Sequence, residues 1–408
     1  MAKAMVVSVG GTPAPIIKSI IWHKPEFVSF LASQDTCDLV ATIKNDVNND
    51  CPGLKSEMTL IDDVNDLIHC HEKAEESVSR VIIKGYTNED VVVDYTGGTK
   101  NMSVALTLAA ITHGFSFSYV GGKERTKDGV GIVIDGYEEV YRNVNPWDFF
   151  AIQERRKIIL LFNQYQFKAA RDLADEVVSK GTKYKSLFKR MALLVDGYHK
   201  WDLFRHQEAL AIFGKAKIEE LVESDDKQFR LFAKATEERL DFLRRIVTDN
   251  KKSSISFILD IYSNAERRYE EGKIDDAILR LYRLVEMMAQ ERLSSQYNID
   301  ASNVLVEQIP QPLQNAFIKD YKSKRDGKIK IPQTAAFELL YVLNDNLGRL
   351  FREKKHNFLD MQSSRNYSYL AHGFQSVKES TFLKLKDFLL GLEMFKMDDA
   401  PRFPKFEI

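Results

Sequence analysis

The chain has 408 residues, 44% of them hydrophobic, and a formal net charge of -1. That length exceeds a single compact core and predicts two or three domains. The near-neutral balance excludes a broadly basic nucleic-acid coat but leaves local patches open. No apolar run is long enough to span a bilayer, and no charged segment followed by a long apolar stretch opens the sequence, so a cytoplasmic protein without membrane attachment is expected. Cys37, Cys51 and Cys70 lack zinc-ligand spacing and the eight histidines are scattered, which points away from a metal site.

Twelve of the twenty glycines precede residue 137, where apolar strands alternate with helical patterns. Strands are predicted at residues 4–9, 27–32, 91–95, 115–120 and 130–134, the last continuing into a hairpin partner near 139–142. Helices between strands make right-handed crossovers, hence a Rossmann-like sheet. The first strand runs into "VGGTP", where Thr12 before Pro13 reads as an N-cap with proline at the first helical position. The strand at 91–95 runs into "TGGTK" and then an alanine-rich helix. Such a turn sits where backbone N–H groups have no intrahelical partner and the helix dipole is positive, a setting that binds anions. Gly97 and Gly98 would let a ligand approach the backbone, while Thr96, Thr99 and Lys100 supply hydroxyls and a charge. Two such turns on parallel strands face each other across the crevice where open α/β sheets bind ligands, which favours a nucleotide or phosphate. Neither turn has the dinucleotide or P-loop pattern, so hydride transfer and ATP hydrolysis are poor readings. The plainer alternative is two tight turns of a sheet scaffold.

No proline occurs from 147 to 309 and the periodicity becomes helical, marking a domain change near Pro146. "NQYQFKAARDLADEV", "DLFRHQEALAIFGKA" and "EEGKIDDAILRLYRLVE" read as helical hairpins with Ala169, Ala209 and Ala277 in comparable places. Their uneven spacing argues for an irregular bundle over a solenoid. A polar stretch at 248–254 separates this portion from a C-terminal helical domain. Basic runs at 321–330 and 352–357 could guide an RNA backbone or could be solvated faces. Arg283 and Glu286 read as an exposed i, i+3 pair, with support of a nearby active site as the alternative.

In "SSRNYSYLAHGF", Arg365 and His372 would share one stripe of a helix, about 10.5 Å apart along its axis. An imidazole and a guanidinium on one face suit metal-free RNA cleavage, which needs a base, an acid and positive charge on the developing phosphorane. One pair is thin for both proton transfers, and a two-fold dimer would double it. The plainer alternative is a partly buried histidine near a helix end, with Arg365 paired to a surface carboxylate.

The motifs "SVGGTPAPI" and "DYTGGTKNMSVAL", a helical middle and a terminal "RNYSYLAH" together resemble the type III CRISPR-associated ancillary ribonucleases built from a CARF and a HEPN domain. Asp94 to Lys100 matches the CARF turn signature, and Arg365, Asn366 and His372 match the HEPN signature of an arginine, a polar residue and a later histidine. The resemblance implies an α/β plus all-α chain: a Rossmann-like CARF domain at 1–146, a helical connecting domain at 147–252 and a HEPN domain at 253–408. It implies a homodimer without a cofactor, activated by a cyclic oligoadenylate of four or six units. That ring would be held by Gly10, Gly11, Thr12, Thr96, Gly97, Gly98, Thr99 and Lys100. The implied reaction is metal-independent cleavage of single-stranded RNA to a 2',3'-cyclic phosphate and a 5'-hydroxyl, with His372 in proton transfer, Arg365 on phosphate and Asn366 orienting the pair. Two further readings stand beside it: a CARF domain that also cleaves its own activator through Thr12, Thr99 and Lys100, and a non-catalytic nucleotide sensor acting through a protein partner.

Overall fold

Among the described residues six strands make one sheet in the order β3-β2-β1-β4-β5-β6, and β1, β2 and β4 form where β-branched and aromatic residues cluster. They are β1 (Ala4–Ser8), β2 (Phe27–Ser33), β3 (Lys55–Ile61), β4 (Val91–Asp94), β5 (Ser116–Gly122) and β6 (Glu138–Val144). The computed structural model describes residues 2–122, 138–223, 226–249, 254–366 and 378–407. These divide into two compact units, Met1–Ile159 with Ala169–Ala192, and Leu160–Lys168 with Leu193–Ile408.

In the first unit, β1 to β5 run parallel and β6 closes the sheet antiparallel to β5. The crossovers are α1 (Ala14–His23), α2 (Cys37–Val47), α3 (Leu67–Ile83) and α4 (Lys100–Ile111). Because successive strand residues face opposite sides, Ala4 and Val6 pack with Val78 of α3 and Leu106 of α4. Met5 and Val7 pack with Ile16 and Ile20 of α1 and Ile43 of α2. Helices on both faces explain why β1, β2 and β4 are buried along their whole lengths.

Two of the expectations are amended, at β3 and at the start of α1. β3 was not expected: it is an edge strand paired only to β2, with an exposed Lys55 and Met58, and polar residues on such an edge hide a strand's signature. The expected strand at 130–134 lies outside the described residues. Pro13, not Thr12, takes the N-cap position of α1; no side chain caps that end, and the Ile17 N–H is bonded by the Pro13 carbonyl at 3.0 Å.

The other regular elements of the described residues are mainly α-helices: α5 (Trp147–Asn163), α6 (Phe167–Ser179), α7 (Lys185–Asp202), α8 (His206–Ala216), α9 (Ile218–Val222), α10 (Lys227–Thr248), α11 (Ile255–Glu270), α12 (Ile274–Tyr297), α13 (Gln311–Tyr321), α14 (Gln333–Val342), α15 (Asn346–Asn366) and α16 (Glu379–Leu390). The three expected hairpins all form, and each turns on a left-handed residue: Tyr165 at φ 60°, Phe204 at φ 58° and Gly272 at φ 74°. Five residues beyond each stands a fully buried alanine, Ala170, Ala209 and Ala277. Ala169 is exposed, so the first hairpin's small residue is one position later than expected; the turn residue sets the register.

The second unit's core is aromatic. Phe232 stacks on Phe406 with centroids 3.7 Å apart, and Tyr198 meets Phe403 edge-on at 4.8 Å. The Asn163 side chain exchanges two 2.9 Å hydrogen bonds with the Phe406 backbone, fixing the 400–407 segment in place. Beneath it, Asp202 accepts from Asn264, from Arg267 Nε at 2.8 Å and from Arg268 Nη2 at 2.5 Å. Of the basic runs, 321–330 folds into a tight loop closed by a bridge from Lys322 to Ile329, and 352–357 lies on α15. Among the described residues no helix is long and apolar enough to cross a membrane.

Candidate functional site

Adjacent β1 and β4 end side by side, and between them the crossovers change direction along the sheet: α1 leads to β2 on one side and α4 to β5 on the other. The two glycine turns therefore lie at the switch point of the sheet, where such folds bind ligands. They also touch each other. A Cβ on Gly10 would stand 2.6 Å from the Gly98 nitrogen, and one on Gly97 would stand 2.7 Å from the Gly10 nitrogen and would overlap the Ser8 carbonyl oxygen. The missing side chain at Gly97 thus makes room for the β1 turn rather than for a ligand. Gly98, at φ 86°, is required by its left-handed backbone. Gly11 faces open space.

A buried carboxylate organises this junction. Asp94 has no solvent exposure; one oxygen accepts from the Ser19 hydroxyl and the other from the Thr96 N–H at 2.9 Å. Burial pushes its carboxyl above the usual range, opposed by hydrogen bonds from Ser19, Thr96 and Ser118. Ser118 in turn lies 3.2 Å from the ring of buried His23. The Thr96 hydroxyl oxygen accepts from the Val120 N–H at 2.8 Å and ties the turn to β5. Thr99 caps α4 by accepting from Met102 N–H at 3.3 Å. Asn101 donates to the Val64 and Asn65 carbonyls, which fixes the α4 start against the loop before α3.

The sequence-predicted ligand residues thus fall into two groups. Gly10, Thr96, Gly97, Gly98 and Thr99 build the turns, Thr99 while itself exposed, and Gly11, Thr12 and Lys100 are exposed at their surface. Backbone N–H groups at the α4 start and the Lys100 ammonium are what a phosphate would meet there. The support from Ser19, His23 and Ser118 was invisible in the sequence because it is long-range. Tyr95, which stacks on Tyr119 with centroids 5.6 Å apart beside the same turn, was also missed.

In the second unit, Arg365 and Asn366 form the last turn of α15, and His372 lies outside the described residues. One helical turn before Arg365, Met361 borders a cavity of about 600 Å³ between α15 and α16. Lys354 and Asn357 border it from the same stripe of α15, and Thr381, Lys384 and Phe388 from α16. Arg283 and Glu286 form a half-exposed i, i+3 ion pair at 2.5 Å, the plainer of the two expectations. Among the described residues no group of three histidine, cysteine or acidic side chains could hold a metal ion.

Comparison with known proteins bears on both regions. The sequence matches the Csm6 6H domain family over residues 150–243 and the Csm6 HEPN domain family over residues 246–396. Among solved structures, Enterococcus italicus Csm6 bound to cyclic hexa-2'-fluoro-hexa-dAMP superposes with a TM-score of 0.60 at 12% identity, covering 96% of this chain and 93% of that one. At this identity the likeness shows the fold. Can2 from Sulfobacillus thermosulfidooxidans in complex with cyclic tetra-adenylate matches at a TM-score of 0.25 and 14% identity, over 60% of this chain and 67% of that one, too weakly to support an argument. No curated protein matches the sequence.

Proposed function

The chain belongs to the type III CRISPR-associated CARF–HEPN ribonucleases, and from that premise we propose that it is an endoribonuclease whose HEPN domain cleaves single-stranded RNA when a cyclic oligoadenylate binds the glycine turns of its CARF domain. The observation that carries the catalytic half is the HEPN match over 246–396, which contains Arg365, Asn366 and His372. His372 takes the proton from the 2'-hydroxyl or returns one to the departing 5'-oxygen, and Arg365 holds the phosphate oxygens as negative charge grows on them. Asn366 orients the pair. Attack of the 2'-oxygen on phosphorus breaks the P–O5' bond and leaves a 2',3'-cyclic phosphate and a 5'-hydroxyl, with no metal ion taking part. A two-fold dimer supplies the second set of groups.

The regulatory half is supported by the switch-point turns, by the open face of Gly11 and by exposed Thr12 and Lys100. The E. italicus protein of the same fold was solved with a six-membered cyclic nucleotide, which fits this assignment. Gly10, Thr96, Gly97, Gly98 and Thr99 would shape the floor and present backbone N–H groups. The domain bounds that go with this reading are 1–146, 147–252 and 253–408. The place of action is the cytoplasm, where RNA and activator are made.

The test is cleavage of a labelled single-stranded RNA in the presence of chelator and of cyclic tetra- or hexa-adenylate, with the product ends identified. Wild type should give 2',3'-cyclic phosphate ends and His372→Ala should cleave more slowly by a factor on the order of 10² or more. Equal cleavage by both proteins, or 3'-hydroxyl ends, would remove the catalytic assignment.

A further inference from the structure

A second cavity, of about 480 Å³, lies within the helical unit between α11, α16 and the 397–405 segment. Three side chains of one α11 stripe border it and carry buried polar atoms without a partner: both terminal nitrogens of Arg267, the hydroxyl of Tyr262 and Oε1 of Glu266. Arg267 is 3% exposed and Tyr262 2%. Buried polar groups ordinarily have partners, and an orphaned one is costly, so three on one wall call for an occupant.

The geometry says what kind. Arg267 is held from behind by Asp202 at its Nε, and its guanidinium lies 3.8 Å over the Phe403 ring. Stacking uses the guanidinium face and leaves its in-plane N–H groups for acceptors at the edge, the fork that matches two oxygens of one anion. The Tyr262 hydroxyl adds a third donor. Four cations border the cavity, Arg267, Lys386, Arg402 and Lys405, against the carboxylates of Glu266 and Glu270. Lys386 pairs with Glu266 and Lys405 with Glu270, at 2.9 Å each. Glu266 Oε1 calls for the opposite chemistry, a donor such as a hydroxyl or amine. We infer that this cavity is a second ligand site, separate from the glycine turns, for a small phosphate monoester that also carries a hydroxyl or amino group, the phosphate on Arg267 and Tyr262 and the donor on Glu266.

The full-length protein is titrated calorimetrically with ribose 5-phosphate, 5'-AMP and inorganic phosphate. At least one of the two esters should bind once per chain and about tenfold more tightly than phosphate. Tyr262→Phe and Glu266→Gln should each weaken it about tenfold, the worth of one charge-assisted hydrogen bond, and Lys100→Ala should leave it unchanged. Because the Tyr262 hydroxyl has no partner in the protein, Tyr262→Phe should melt no lower than wild type without ligand, so lost binding cannot be ascribed to unfolding. Failure of both esters to bind better than phosphate overturns the proposal. So does binding that survives both cavity variants, including binding abolished only by Lys100→Ala.

Discussion

At the β1 and β4 turns the candidate site is made of backbone, and glycines that keep two turns in contact also leave a surface of N–H groups and one lysine. At the end of α15 the candidate site is one of side chains, Arg365 and Asn366 on that helix and His372 beyond the described residues, and only the pairing of arginine with histidine in the sequence marks the place. A site built from backbone constrains its sequence through sterics, whereas a site built from side chains constrains it only through chemistry. Substitutions should therefore fail in different ways in the two regions: loss of fold at the turns, loss of reaction with the fold intact at Arg365 and His372.

The largest expected effect is at the arginine and histidine of the HEPN motif. Arg365→Ala and His372→Ala should each lower RNA cleavage by a factor on the order of 10² to 10⁴ while activator binding and melting temperature stay near wild type. Loss of melting temperature in step with activity would mean these residues serve packing. Next is Asp202→Ala, which strands Arg267 beside a buried vacancy while Arg268 keeps its 2.9 Å ion pair with Glu271, and should cost about 3–5 kcal/mol in denaturant unfolding.

The turns come next. Gly97→Ala forces a methyl group against β1 and should destabilise the protein by about 1–3 kcal/mol. Gly11→Ala meets nothing and should change stability by less than about 0.5 kcal/mol. If Gly11→Ala nevertheless weakens cyclic oligoadenylate binding, the split between turn-building and ligand-facing glycines stands; a stability loss equal to that of Gly97→Ala would erase it. The smallest effect concerns Asp94. Its folded pKa is raised above the ordinary 3.8, so the folded state holds the proton more firmly than the unfolded one. The stability from this group is present below pH about 4 and is lost as pH rises toward the folded pKa. The stability of wild type relative to Asp94→Asn, measured by urea unfolding at several pH values, should therefore fall as pH rises through that window; a rise would contradict the burial argument.

Much of the first unit was legible because its strands are apolar and its turns are glycine. β3 was not, since Lys55 and Glu57 on an edge strand look like loop residues. Asp94 was visible as part of the turn, yet its work depends on Ser19 and Ser118, which only the fold brings beside it. In the helical unit the three hairpins could be read from their patterns, but the left-handed residue that sets each register could not, which is how Ala169 stood in for Ala170. The orphaned atoms of Tyr262, Glu266 and Arg267 carry no sequence signal at all: on paper they are an ordinary helix stripe.

The coupling of the two regions is tested most directly by one comparison: cleavage of a fluorogenic single-stranded RNA in chelator by wild type and by Lys100→Ala, with linear adenylate, cyclic tetra-adenylate or cyclic hexa-adenylate added separately. One ring should switch on wild-type cleavage, linear adenylate should not, and Lys100→Ala should need a higher concentration of that ring to reach the same rate. Cleavage that proceeds equally with and without a ring, or a Lys100→Ala response identical to wild type, would contradict the assignment of the glycine turns as the switch.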